Sequence, residues 1–265
     1  MTTALYEFYT SRLQNRSGGI VFILLMNLIL IPGIILWTLT GLVLFPLVFV
    51  FMKYIQGHTT SRITRWCIWI YGKVWQFLSG TFVIFDPVQY QSNQYREPAI
   101  IVVNHRSFFD TYCMNMLPES NVCFAVRDWP FKIPVYNLFM NLARYLNIEK
   151  HSWEKCLDRS QQTLDEKGLV LFFPEGHRTR TGQMTRFHSG AFKLAVETNT
   201  PVIPVCLTGT QDLLPRGRHH MRPARIKMKI LDPVFPHDFS GELKHQDMKK
   251  QVKALMKNQL ALMDE

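Results

Sequence analysis

Between Arg16 and Lys53 the chain carries no charged residue: 36 consecutive positions, nearly all apolar. No other feature constrains the fold as much. The run is far longer than the apolar region of a secretory signal, and no small-residue cleavage site accompanies it. A straight helix of this length measures about 54 Å, against a bilayer hydrocarbon core of about 30 Å. Pro32-Gly33 stands near its middle, and proline is disfavoured inside a helix. The run therefore predicts a membrane-embedded helical hairpin dipping into one leaflet, with one tilted span as the alternative. Arg12 and Arg16 precede it, and Lys53, Arg62 and Arg65 follow it. Positive charge on both flanks favours both ends on the cytoplasmic side.

Residues 61–79, SRITRWCIWIYGKVWQFLS, continue the theme. Ile63, Trp66, Cys67, Ile70, Val74, Phe77 and Leu78 fall near helical spacing, with Arg62, Arg65 and Lys73 off that stripe. Three tryptophans in ten residues suit the headgroup zone; packing on a protein core explains the same stripe equally well. From about residue 80 the pattern changes. Short apolar runs (TFVIF 81–85, AIIVV 99–103, VCFAV 122–126, LVLFF 169–173, VIPVCL 202–207, RIKMKIL 225–231) alternate with helical stretches. The helical stretches fall at 107–117, 134–145, 152–165 and 190–198. This alternation predicts an α/β fold, a mixed sheet with flanking helices. Two units follow: 1–79, membrane-embedded and interfacial helices, and 80–265, the α/β domain. A basic amphipathic helix at 242–263, with Met248, Val252, Leu255 and Leu262 roughly aligned, closes the chain.

The formal net charge of +10 suits an anionic partner: phospholipid headgroups, a phosphorylated substrate, an acidic carrier protein or nucleic acid. For nucleic acid, charge is the whole case, and the apolar segment argues against it. Five cysteines, an odd number with no CxxC pair, point away from a disulfide framework or a zinc site. His219-His220 are too close in sequence to imply a metal site without partners.

Two stretches carry chemistry. NHRSFFD, residues 104–110, follows the AIIVV strand. Ligands in α/β sheets bind off the carboxyl ends of strands. A histidine there can accept a proton near neutral pH, and a carboxylate on its other ring nitrogen fixes the tautomer. His105 and Asp110 fit those roles. Ser107 to Asp110 also matches a helix-capping pattern, and the two readings can coexist. FFPEGHRTRTG, residues 172–182, leaves another strand and brings Glu175, Gly176, His177, Arg178 and Arg180, with Arg186 close behind. Guanidinium groups on such a loop suit a phosphate, and Gly176 allows a sharp turn or close approach. A solvated surface loop is the plainer alternative.

Together, in this order and about 70 residues apart, the stretches resemble the glycerolipid acyltransferase family, of which bacterial lysophosphatidic acid acyltransferases are typical. Asn104, His105 and Asp110 match its N-H-x-x-x-x-D motif. Phe173, Pro174, Glu175, Gly176 and Arg178 match F-P-E-G-x-R. Val202, Ile203, Pro204 and Val205 match its apolar V-I-P-V strand, with Gly190-Ala191 before it. The second motif departs: Lys150 stands where an arginine is expected and Arg144 where a glycine is, and Phe187-His188 replaces the usual Phe-Lys. Arg127 stands where the family often has a basic residue.

The resemblance implies a glycerol-3-phosphate acyltransferase-like fold and acyl transfer from a thioester to 1-acyl-sn-glycerol-3-phosphate, giving phosphatidic acid. His105 is then the base and Asp110 its orienting carboxylate. Arg178, with Lys150 and Arg127 as weaker candidates, would bind phosphate beside Gly176. Glu175 would hold a glycerol hydroxyl or brace the arginines. No metal or cofactor is expected beyond an acyl-coenzyme A or acyl-carrier-protein co-substrate. The expected partners are lysophospholipid, membrane phospholipid and acyl carrier protein. The expected place is the cell inner membrane, with the site on its cytoplasmic side. Another lysolipid acceptor, or a non-catalytic lipid-binding protein on the same fold, are the alternatives.

Overall fold

The computed structural model describes residues 16–92, 98–179, 182–214 and 217–264. Helix α1, Arg16–Tyr54, runs without interruption through Pro32 and Pro46. The predicted break at Pro32-Gly33 does not form, and this corrects the hairpin expectation. The reason is local. A proline inside a helix forfeits one backbone hydrogen bond. Breaking the helix there would create two new ends, each with four orphaned backbone groups, in a stretch with no charged side chain to cap them. The reversal falls instead at residues 55–59, where Gly57 takes a left-handed φ of +69°. Helix α2, Thr60–Ser79, starts there, with the Thr59 hydroxyl accepting a hydrogen bond from Arg62 N.

Helix α2 runs antiparallel along α1. Trp37 Nε1 donates to Tyr71 O at 3.2 Å, and the Thr38 and Tyr71 hydroxyls lie 2.8 Å apart. Nearer the start of α1, Gly33 and Leu30 face Trp75. The other side of α2 is a core-packing face. Trp75 is buried and stacks on Phe109 at 5.2 Å. Arg65, expected off the apolar stripe, is buried too. Its guanidinium donates to Ala143 O, Asn121 Oδ1 and Thr163 Oγ1. Gly19–Tyr54 of α1 is long and apolar enough to cross a membrane, and only 17% of its most apolar window is buried.

Eight strands form the sheet: β1 Val83–Phe85, β2 Gln89–Tyr90, β3 Ala99–Val103, β4 Val122–Val126, β5 Leu146–Asn147, β6 Leu169–Phe172, β7 Val202–Thr208 and β8 Ala224–Ile230. Their order is β1-β8-β7-β3-β6-β4-β5, with β2 beside β8. β7, β3, β6, β4 and β5 are mutually parallel. β8 runs antiparallel to β7, which makes the sheet mixed, as expected. The short β2 carried no readable signal.

All five residues of β3 are fully buried, because the strand faces a core on each side. Ile101 and Val103 join Trp75, Phe109 and Leu117 beneath the paired helices. Ile100 and Val102 join Phe192, Leu194 and Met248. These come from α6, Gly190–Thr198, and α8, Lys244–Asp264. Helices α3 (Asp110–Cys113), α4 (Pro134–Leu142), α5 (Trp153–Asp165) and α7 (Thr210–Leu213) complete the set. The α8 stripe needs adjustment: Met248, Val252, Met256 and Leu260 are buried, while Leu255 and Leu262 face outward. Chain order reverses around β3, with β4 and β7 on opposite sides of it. That leaves a crevice off the carboxyl ends of the parallel strands.

Candidate active site

His105 is the second residue past β3. Its Nδ1 lies 2.8 Å from Asp110 Oδ2. The same oxygen accepts hydrogen bonds from Arg106 N at 2.7 Å and Ser107 N at 2.8 Å. The second carboxylate oxygen accepts from the Thr210 hydroxyl. A fully buried carboxylate is thus met by four donors, so neither of its oxygens is left without a partner. Asp110 on Nδ1 makes that nitrogen the N–H donor and leaves Nε2 as the acceptor. Only half of the capping reading survives: Asp110 accepts from Ser107 N, but the helix starts at Asp110 itself, with Phe109 before it and no side-chain cap bond. The helix it opens is only one turn of α3 plus the 3₁₀ turn Met114–Met116, shorter than the predicted 107–117.

The FPEG loop after β6 grips this turn. Glu175 Oε1 accepts from His105 N at 2.9 Å, while Thr179 N donates to His105 O at 3.0 Å. Phe173 stacks on the imidazole, with ring centres 4.4 Å apart. Asn104 locks the strand end to β7 through a pair of 2.8 Å bonds with Leu207. Gly176 has φ +70°, and a Cβ there would stand 3.1 Å from the His188 ring. Glycine is therefore needed for both backbone and space. On the far side, Arg106 makes a bidentate pair with Asp264, both bonds 2.7 Å, tying the turn to the last residues of α8.

The structure thus brings His105, Asp110, Glu175 and Gly176 together, with Arg178 exposed on the same loop. Arg180 lies outside the described residues. Both oxygens of Glu175 are taken up by protein donors. It is buried, and Thr185 N and Oγ1 occupy its second oxygen, so it braces the loop. Arg127 and Lys150 lie apart from this group, beyond the ends of β4 and β5. At about 4.8 Å per strand these are two and three strands from β3. Arg127 pairs with Glu149 at 2.7 Å and Lys150 with Asp128 at 3.2 Å. A hydrogen bond from Asn147, helped by Lys132 and Lys150, holds the Asp128 carboxyl down to about 2. The Asp128 backbone N–H and then Arg127 lower that of Glu149. Both cations already have anions. Thr210, Thr185 and Phe173 are site residues that sequence reasoning did not assign a role. Thr210 and Thr185 had no local signal, because each meets the site only through tertiary contact.

A mixed sheet, a strand-end histidine and a buried aspartate on its ring make a site suited to moving a proton. Residues 87–208, a little under half of the chain, match the family model described as acyltransferase. A 1-acyl-sn-glycerol-3-phosphate acyltransferase of Chlamydomonas reinhardtii is 31% identical over 56% of this chain and 45% of its own. A chloroplastic one from Arabidopsis thaliana is 34% identical over 52% and 39% respectively. The match thus spans about half or less of these relatives' length. The crystal structure of the Thermotoga maritima lysophosphatidic acid acyltransferase PlsC superposes with a TM-score of 0.62. It covers 87% of this chain and 95% of that one at 22% identity, so the fold is shared.

Proposed function

We propose that the chain is an O-acyltransferase that moves a fatty acyl group from a thioester to 1-acyl-sn-glycerol-3-phosphate, giving phosphatidic acid. The observation that carries this is the His105–Asp110 pair, with its second ring nitrogen left available at the strand-end crevice. Nε2 takes the proton of the acceptor hydroxyl as its oxygen attacks the thioester carbonyl carbon. The imidazolium, stabilised by Asp110, then gives that proton to the departing thiolate sulfur. The ester C–O bond forms, the C–S bond breaks, and the histidine returns to neutral. Arg178 is the candidate phosphate ligand. The donor is an acyl-coenzyme A or acyl-carrier-protein thioester, and the basic surface suits either.

The membrane placement follows from α1. Asn27 Nδ2 donates to Met221 O at 2.8 Å, and Phe45 packs on Phe139 at 4.8 Å. The helix is therefore held against the domain over about 27 Å of its length. Its outer face carries Leu28, Leu36, Val43 and Leu47, all more than 60% exposed. We infer that α1 lies in one leaflet of the inner membrane, with the site on the cytoplasmic side. This keeps the one-leaflet anchor while replacing the hairpin inside 18–52. His105→Ala should cut acyl transfer to lysophosphatidic acid at least ~10²-fold in membranes containing the full chain. An undiminished rate would remove His105 as the base. A panel of lysolipid acceptors with both thioester donors tests the substrate.

A further inference from the structure

Residues 132–138 are seven consecutive exposed positions, and four of them are large and apolar. Ile133, Val135, Tyr136 and Leu138 are 39, 45, 38 and 54% exposed, and Trp129 just before them is 54% exposed. None of the nine residues of α4 is buried. Yet the segment is firmly held. Phe131 and Met140 pack into the second core. Phe139 meets Phe45 of α1 edge-on, and the Tyr136 hydroxyl lies 3.2 Å from that of Tyr112. The backbone is anchored while the apolar side chains point away from the protein, and exposed apolar surface of this kind marks an interaction site.

Two observations select the partner. Through the Phe45–Phe139 contact the patch lies directly beside α1, the helix assigned above to lipid. The rim of the patch carries Arg127, Lys132 and Lys150, 51, 70 and 65% exposed, against only the two carboxylates they pair with, Glu149 and Asp128, so the rim keeps an excess of positive charge. An apolar body with cations at its edge is the pattern of an element lying at headgroup depth. We propose that residues 129–138 form a second bilayer-inserting element, whose partner is the phospholipid interface. This rests on the membrane placement argued above. One helix alone would leave the domain free to roll about its axis. A second contact, on the segment that follows β4 at the same sheet edge as His105, turns the crevice toward the lipid that supplies the acceptor.

The test uses the full chain in vesicles of mixed zwitterionic and anionic phospholipid. Leu138→Cys carries an environment-sensitive dye, and the parent chain gives the background from Cys67 and Cys156. Leu243→Cys, 64% exposed before α8, is the aqueous control. Lipids with an acyl-chain nitroxide should quench the dye at 138 at least ~3-fold more than at 243, and aqueous iodide should do the reverse. Equal quenching at the two positions overturns the proposal. So does protection of 138 from iodide that appears without vesicles as protein concentration rises, which would assign the patch to a second copy of the chain. In parallel, the pair Val135→Glu and Leu138→Glu should lower the rate on a vesicle-resident acceptor about 10-fold, sparing a short-chain soluble one. Equal loss on both counts against it. The quenching readout involves no acyl transfer, so it stands even if the proposed activity fails.

Discussion

Glu175 and Asp110 are both buried carboxylates hydrogen-bonded to His105, yet they do different work. Asp110 meets the ring and Glu175 meets the backbone. The distinction decides how each should fail. Glu175→Gln puts an amide N–H where Thr185 N and Oγ1, or His105 N, now donate. That leaves buried donors facing a donor and costs about 1–3 kcal/mol of stability. With His105 no longer held, kcat should fall while KM for the acceptor changes little, and steady-state kinetics beside a melting curve reads both. If Glu175 bound a glycerol hydroxyl instead, KM would rise with the melting temperature unmoved. His105, Asp110 and Gly176 were legible in the sequence because their roles need particular residue types at a fixed short spacing. The brace was not, because its two ends lie 70 residues apart.

Among the elements, the turn before β5 shows most plainly what one substitution does to a backbone. Arg144 occupies the position where the family pattern has glycine, and its φ is +56°. A side chain costs about 1–2 kcal/mol in that left-handed region, which glycine enters freely. Arg159 stands close enough that, after burial, the like charge of Arg144 lowers its pKa from the usual guanidinium value. Arg144→Gly should therefore raise stability by about 1 kcal/mol, seen as a higher denaturant midpoint at unchanged slope. The helices were read with mixed success. Ser152 caps α5 at the expected place, since capping is a local event. The unbroken α1 was the alternative rather than the expected form. The proline rule is calibrated on helices whose broken ends can find side-chain caps, and residues 28–37 around Pro32 include no Ser, Thr, Asn or Asp.

In the whole molecule, the paired helices and the sheet domain are joined by a polar connector. Arg65 reaches from α2 to three neutral acceptors before β4, before β5 and on α5. Arg65→Ala would strand those acceptors in a buried site and open a cavity. The expected loss is about 3 kcal/mol, a drop of roughly 6–12 °C for a chain of this size. A smaller drop, under about 1 kcal/mol, would mean the helix pair docks by apolar contact alone. By itself the sequence determined the long apolar segment, the mixed α/β alternation, the pairing of His105 with Asp110, and the glycine at 176. Each is fixed by composition, periodicity or short spacing. Only the tertiary structure decided that Glu175 braces, that Arg127 and Lys150 are already paired, that Arg65 is buried, and that residues 132–138 face outward. Those depend on which strands become neighbours, and strand order is set by long-range packing of two cores that no local window of sequence contains.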